Sequence, residues 1–322
     1  MPVSSPPPPI LTAGDVLTLD ELRHLRRTST LRGAGLVVHA WGVIAAAMAL
    51  YAWWPTPLVL LVAVVVIGSR QLGLAVLMHE GGHWLLFPRS KVNTAVARWL
   101  CAFPIWADLG RYRRQHHLHH RYTQQADDPD LESVGSYPIS RRALLGAALR
   151  DLGGWTFVAS VVTWPGWREP RMLWPRLRGP LAGNAVILGA LWVIGHGELY
   201  LLLWLLPLAT WDQLVTRLRG IAEHAVVADA ADPLRNTRTT GAGPLARALL
   251  APYWVNYHLE HHLLIFVPCW KLPQAHALLL AKGYGPRMGI PRFLKVNENP
   301  SGTPASRRSR RASARAFPMS RP

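Results

Sequence analysis

Fourteen histidines occur in the 322 residues, and most of them fall in three short stretches. HEGGH, residues 79–83, sets His79 and His83 four apart with Glu80 beside the first. RRQHHLHH places His116, His119 and His120 in an H-x-x-H-H pattern, and NYHLEHH repeats that pattern at His258, His261 and His262. Residues at i, i+3 and i+4 of a helix share one face, so each stretch can present two or three imidazoles to one point. HEGGH alone has the spacing of a helical zinc protease, with Glu80 as general base. Eight imidazoles from three helices exceed what a four-coordinate zinc uses, and imidazole serves iron, copper, nickel and zinc alike. Two metal ions are the natural inference. His224, in the sequence AEH beyond the last apolar run, is read as a ninth ligand.

The remaining histidines receive plainer readings. His117 lies about 100° around a helix from His116, which makes it a surface or supporting residue. His24, His39, His196 and His276 are isolated and are read as structural. Glu80, Glu223 and Glu260 each neighbour a candidate ligand, so on a helix they point away from the metal and are expected to hydrogen-bond imidazole N–H groups. Asp127, Asp128 and Asp130, in ADDPD, are expected to do the same or to cap a turn around Pro129.

The elements that position these residues are apolar. Half of the chain is hydrophobic, there are 15 tryptophans, and the mean hydropathy is positive. No residue from Gly33 to Ser69 carries a formal charge, and a second long apolar run extends from Pro180 to Trp211. A bilayer core needs about 20 apolar residues per helix. The expected fold is therefore an all-α integral membrane protein with four transmembrane helices in two hairpins, at about 35–54, 57–77, 180–196 and 198–216. A cytoplasmic helical cap, 78–179 and 217–298, is expected to carry the histidine-rich dimetal site. Residues 1–33 read as a Pro-rich disordered lead, without the features of a signal peptide, followed by an interfacial helix whose Thr18 and Glu21 have capping-box spacing. Residues 299–322, rich in Ser, Pro and Arg, read as a disordered basic tail.

The formal charge of +17 is distributed by topology. Of the 35 Lys and Arg, only Arg70 lies inside the two apolar regions. It is expected to face the interior or reach toward the interface. By the positive-inside rule the other segments, with both termini and the histidine boxes, are cytoplasmic. The basic excess then serves orientation and attraction to anionic membrane lipid, and no nucleic-acid motif accompanies it. Cys101 and Cys269 are far apart and have no C-x-x-C neighbour, so no iron–sulfur cluster can be built from this chain alone.

The three boxes, in this order and with these spans, resemble the membrane fatty acid desaturase family over about residues 35–285. RYRRQHHLHHRYTQQADDPDL and TRTTGAGPLARALLAPYWVNYHLEHHLL, with the trailing VPCWKLPQAH, look like its bacterial members. The resemblance implies a diiron centre held by His79, His83, His116, His119, His120, His224, His258, His261 and His262, with O2 as co-substrate. It also implies removal of hydrogens from an unactivated alkyl chain of a fatty acyl or lipid substrate. Acyl-CoA members have an Asn one turn before the residue matching His224, acting through water. Here that position is Gly220, which leaves a tenth ligand open. The third box begins with His258 rather than Gln and no H-P-G-G occurs, so no fused cytochrome domain is expected. Electrons are expected from a separate ferredoxin or cytochrome with its reductase, and an acidic carrier suits the Arg-rich face. A hydroxylase of the same architecture acting on a lipid, alkane or carotenoid is the nearest alternative. A membrane zinc protease leaves two boxes without a purpose, and a metal transporter would place its ligands at the bilayer midplane.

Overall fold

A computed structural model describes residues 11–288 of the chain. Most of the expected lead before Thr12 and the whole expected tail at 299–322 lie outside the described residues. Among those described, every extended element is a helix, and the strand-like features are isolated bridge residues, Thr239 paired with Tyr257 among them.

The first helix with a complete cap is α1 (Leu19–Leu25). Its Thr18 hydroxyl accepts from Glu21 N at 3.3 Å while the Glu21 carboxylate accepts from Thr18 N at 2.7 Å, which satisfies two end donors as the sequence predicts. Two long helices follow, α2 (Thr30–Trp53) and α3 (Pro57–Gly82). Ser29 caps the first, and Thr56 caps the second just ahead of Pro57, whose missing N–H costs nothing in a first turn. Both are long and apolar enough to cross a membrane. Val37, Ala40, Ile44 and Met48 recur every three or four residues along α2 and form its buried stripe. From Ile67 to Gly82 every residue of α3 except Ala75 is buried, so this half of the helix is the axis around which the rest packs.

Beyond α3, the chain forms α4 (Leu109–Tyr122), α5 (Arg141–Leu152), α6 (Trp155–Val162) and α7 (Pro170–Val193). It then forms α8 (Trp211–His224), α9 (Pro244–Leu249), α10 (His258–Leu263) and α11 (Leu272–Ala281). The expected third and fourth spans, 180–196 and 198–216, fall on α7 and on the segment leading into α8. Helix α7 starts ten residues before the expected 180 and includes Arg171, Arg176 and Arg178. After a turn, the backbone is π-helical over Tyr200–Leu205, helical again over Leu206–Ala209, and interrupted at Thr210. Pro207 explains the irregularity, because it can donate no bond to the carbonyl four residues back and its ring crowds that carbonyl.

A second π-helical turn, Ala97–Ala102, likewise precedes a proline, Pro104. Side chains satisfy the backbone these turns expose. The Trp41 indole donates to Leu100 O at 2.9 Å, the acceptor that Pro104 cannot serve. Asn184 joins the two irregular segments. It donates to Phe103 O and Pro180 O, both at 2.9 Å, and accepts from Tyr200 Oη at 2.9 Å and Trp204 Nε1 at 3.2 Å. The residue is 3% exposed, so all four bonds offset its own desolvation.

Candidate metal centre

Helix α3 delivers the first box at its C-terminus, where the last carbonyls have no partner within the helix. Gly81 O accepts from Asn93 Nδ2 and from Arg113 Nη2, each at 2.9 Å, and Gly82 O accepts from Arg113 Nε at 3.0 Å. Arg113 sits one turn before His116 in α4, so one guanidinium ties the end of the first box to the start of the second. Its planar fork suits two adjacent carbonyls, and it also lies 3.9 Å over the Trp84 ring. A Cβ at Gly81 would stand 2.1 Å from the Ala97 Cβ. Glycine at that position is what allows the π-helical segment to close against the box.

Asp108 caps α4, accepting from Arg111 N at 2.6 Å, and so fixes where the second box begins. His224 ends α8, and Arg238 donates to the carbonyls of Ile221, Ala222 and Val226 around that end. The third box occupies the short α10. Asn256 and Thr240 anchor its approach by a reciprocal pair of backbone and side-chain bonds at 2.9 Å.

All nine histidines expected as ligands come together, in two groups. His79, His83, His116, His120 and His261 form one, and His119, His224, His258 and His262 form the other, with the candidate ligand atoms of each group within 4.8 Å of one another. The division follows a rule of helix geometry. In each H-x-x-H-H box the i, i+4 pair, His116 with His120 and His258 with His262, belongs to one group while the i+3 histidine turns to the other. On an ideal helix the i+3 and i+4 residues lie on opposite sides of residue i, about 100° apart.

Ring nitrogens face each other at short range. Nε2 of His120 is 2.9 Å from that of His116 and 3.0 Å from that of His261. Nε2 of His258 is 2.7 Å from that of His224 and 3.0 Å from that of His262. A metal–imidazole bond of about 2.1 Å puts ligand nitrogens about 3 Å apart when they meet at a right angle. Nε2 of His79 and of His83 are buried with no hydrogen-bond partner among the described residues. Buried polar atoms are rarely left so, and a metal ion would satisfy both. Burial holds these imidazoles in the neutral, ligating form. It pushes the His83 pKa down to about 3, and those of His116, His120, His224, His258, His261 and His262 well below the ordinary value, with the neighbouring imidazoles adding to the effect. The residues present fit a pair of metal ions.

Around the groups, some side chains fix imidazole orientation. Asp128 Oδ1 accepts from His119 Nδ1 at 2.8 Å, and Asp130 lies 3.7 Å from the same nitrogen. Thr123 Oγ1 donates to His119 O at 2.7 Å and accepts from His262 Nδ1 at 3.2 Å. Sequence reasoning missed Thr123, Asn93 and Arg113; the one cue was Thr123 following His119 by a single helical turn.

The three glutamates differ. Glu223 accepts from Arg219 at 2.8 Å and lies 3.6 Å from His258 Nε2; burial pushes its pKa up to about 7 against the pull of that guanidinium. Glu80 lies 3.5 Å from His79 Nδ1 and accepts from Cys269 N at 2.8 Å. Only 1% exposed, it is engaged by that backbone N–H and lies beside the His79 ring. Glu260 contacts no expected ligand. It accepts from Thr239 and from His276 Nδ1, the latter at 2.6 Å, which gives the isolated His276 a structural partner. Asp127 is exposed, with no side-chain bond among the described residues. His117 is also exposed, its ring stacked 5.6 Å from that of His83.

A cavity of about 340 Å³ opens onto both groups, touching His116 of one and His119, His224 and His258 of the other. Tyr137, Arg217 and Gly220 also line it, and Asp151 holds Arg217 through bonds of 2.5 and 2.8 Å. A Cβ at Gly220 would meet only Val134, at 4.0 Å, so the position where a tenth ligand was left open faces free space.

Comparison with known proteins agrees with this geometry. The family described as Fatty acid desaturase matches residues 51–293. A dihydrorhizobitoxine desaturase of Bradyrhizobium elkanii is 26% identical over 84% of this chain and 79% of its own length. Beta-carotene ketolases of two Paracoccus strains, PC1 and N81106 / MBIC 01143, are 28% and 27% identical. Those alignments cover 80% and 78% of this chain and 93% and 95% of the ketolases.

Proposed function

The chain belongs to the fatty acid desaturase family, an oxidoreductase family, and on that premise we propose that it is an O2-dependent diiron desaturase acting on an unactivated alkyl chain of a fatty acyl or lipid substrate. The division of nine histidines into groups of five and four carries this reading. Two iron ions held there, His79, His83, His116, His120 and His261 on one and His119, His224, His258 and His262 on the other, would supply O2 activation strong enough to break an alkyl C–H bond.

The chain's own residues do the rest. Asp128 and Thr123 hold His119 and His262 with Nδ1 turned outward, which leaves each Nε2 toward its group. The reacting carbons meet the two groups where the cavity opens onto them, and the Arg217–Asp151 pair holds one side of that opening in place. Removing two hydrogens while reducing O2 to water requires two further electrons. With no cluster-forming cysteine motif in the sequence, they come from a separate ferredoxin or cytochrome with its reductase, docking at the Arg-rich face.

The protein is a multi-pass membrane enzyme in this reading, with α2, α3, α7 and the segment from Leu199 into α8 as spans. Exposed apolar side chains support it: Val38 and Leu50 on α2, Leu58 and Leu61 on α3, Val186 and Val193 on α7, and Leu201 beyond. Trp53, Trp54 and Trp192 are exposed at the hairpin turns, where indole rings favour the membrane interface. The basic segments lie at the other end, which orients the histidine groups and both termini to the cytoplasm.

A second reading, oxygen insertion at the same site, is favoured by the two ketolases among the relatives. Expression with the reductase system, feeding of lipid and acyl substrates, and mass spectrometry of the products decide between them. Loss of two hydrogens supports desaturation, and gain of oxygen supports the second reading. An absence of any O2-dependent product that His120→Ala abolishes contradicts both.

A further inference from the structure

Arg70 is the one basic residue inside the apolar regions, and the metal site does not use it. It is 6% exposed and sits thirteen residues into α3, about 20 Å along the helix. For a hydrocarbon core about 30 Å thick, this is the leaflet on the side of the histidine groups. An ionised group at that depth is costly unless it meets a counter-charge. Among the described residues no carboxylate lies within ion-pair distance of Arg70, whose guanidinium donates to the Ala248 carbonyl and lies 5.6 Å from the Tyr253 ring centre.

A second guanidinium with no carboxylate partner among the described residues stands nearby. Arg247, on α9, reaches the Tyr257 hydroxyl, at 3.5 Å. Both arginines line one cavity of about 520 Å³ between α2, α3 and the segment 247–254. No acidic residue lines it; its other walls include Leu36, Val43, Val66 and Leu249. His39 and Tyr253 complete its polar end, 3.1 Å apart. Tyr253 and Trp254, both lining residues, hold left-handed backbone conformations, with φ of 53° and 59°. Such strain in consecutive non-glycine residues is concentrated at ligand sites. The cavity shares no lining residue with the one at the metal centre.

We propose that this cavity binds a membrane amphiphile with an oxyanion head, phosphate or carboxylate, between Arg70 and Arg247, and with its chain along Leu36, Val43 and Val66. Two guanidinium groups recognise an oxyanion by paired, charge-assisted hydrogen bonds. The apolar wall accounts for a tail, which a free inorganic anion lacks. The site stands apart from the oxidation chemistry and depends only on α2 and α3 lying in a bilayer.

Native mass spectrometry of the full chain, purified in detergent and stripped of lipid, tests this with phosphatidylglycerol, oleate and phosphatidylcholine as probes. One tight adduct is expected with at least one anionic probe, at least tenfold tighter than with phosphatidylcholine. Arg70→Gln and Arg247→Gln each weaken it tenfold or more, while Arg150→Gln, which removes the same charge at an exposed position, leaves it unchanged. Preference for phosphatidylglycerol assigns a phosphate head, and preference for oleate a carboxylate. Should Arg70→Gln fail to fold, Arg247→Gln decides alone, since α9 has no buried residue. Equal binding of all three probes overturns the proposal, as does a loss in Arg150→Gln as large as in the other two.

Discussion

Asp128 Oδ1 stands 2.8 Å from His119 Nδ1, with both side chains 2% exposed. The carboxylate also accepts from the backbone N of Gln124 and of Asp130, each at 2.9 Å, so it is itself fixed. Carboxylate–imidazole pairs of this kind set the tautomer and raise the basicity of a ligating ring. Asp128→Asn keeps the shape and loses the charge. Metal affinity or activity should fall about 10–100-fold, read as iron per chain after dialysis against a chelator and as turnover of the iron-loaded protein. Asp127→Asn, at an exposed position on the same turn, should change neither.

Arg113 joins the first two boxes through Gly81 O and Gly82 O. Lysine keeps the charge but cannot span both carbonyls. Arg113→Lys should cost about 1–3 kcal/mol of stability and lower iron retention, measured by thermal unfolding in detergent and by metal analysis. Unchanged values for both would show that the end of α3 is held by Asn93 and packing alone.

Asn184 makes four hydrogen bonds, one to Pro180 O within α7 and three to Phe103, Tyr200 and Trp204 in or beside the two π-helical turns. Asn184→Leu removes all four bonds; Trp204 Nε1 keeps Pro104 O, at 3.2 Å, but the buried Tyr200 hydroxyl loses its acceptor among the described residues. A loss of about 2–4 kcal/mol is expected, by chemical denaturation in detergent. Because the residue is distant from the histidines in sequence and bonds to none of them, protein that does fold should still bind iron.

Topology has a direct test, since both native cysteines are buried. Single cysteines at Thr56 and Gly195, in the two hairpin turns, should be labelled by an impermeant thiol reagent from one side of the membrane. One at Arg150 should be labelled from the other side. Labelling of Thr56→Cys and Gly195→Cys from opposite sides would leave the two-hairpin arrangement untenable.

The boxes are legible in the sequence because a helix converts i, i+3 and i+4 into one face; the eight histidines selected on that ground meet, together with His224, selected on its place beyond the last apolar run. How they divide was not foreseen: a shared face looks like one centre until the 100° between His119 and His120 is followed in space. The helical class and the first hairpin could be read from the uncharged run 33–69. The segment 198–216 could not be read as drawn, since Pro207 breaks the regular bonding that an apolar run suggests. Contacts remote in sequence were also hidden. Nothing near Glu260 announces that His276 will hold it, or that Cys269 N will hold Glu80, because tertiary packing alone brings those segments together.

Metal content tests the central claim most directly. Iron and zinc are to be quantified in the purified parent chain, in the triple variant His258→Ala, His261→Ala, His262→Ala, and in His83→Ala. Near two irons per parent chain, with a large loss in both variants, is the predicted result, because the third box contributes to both groups and His83 to one. One zinc per chain, retained in the triple variant and lost only with His83, would contradict it and return HEGGH to a protease-like site.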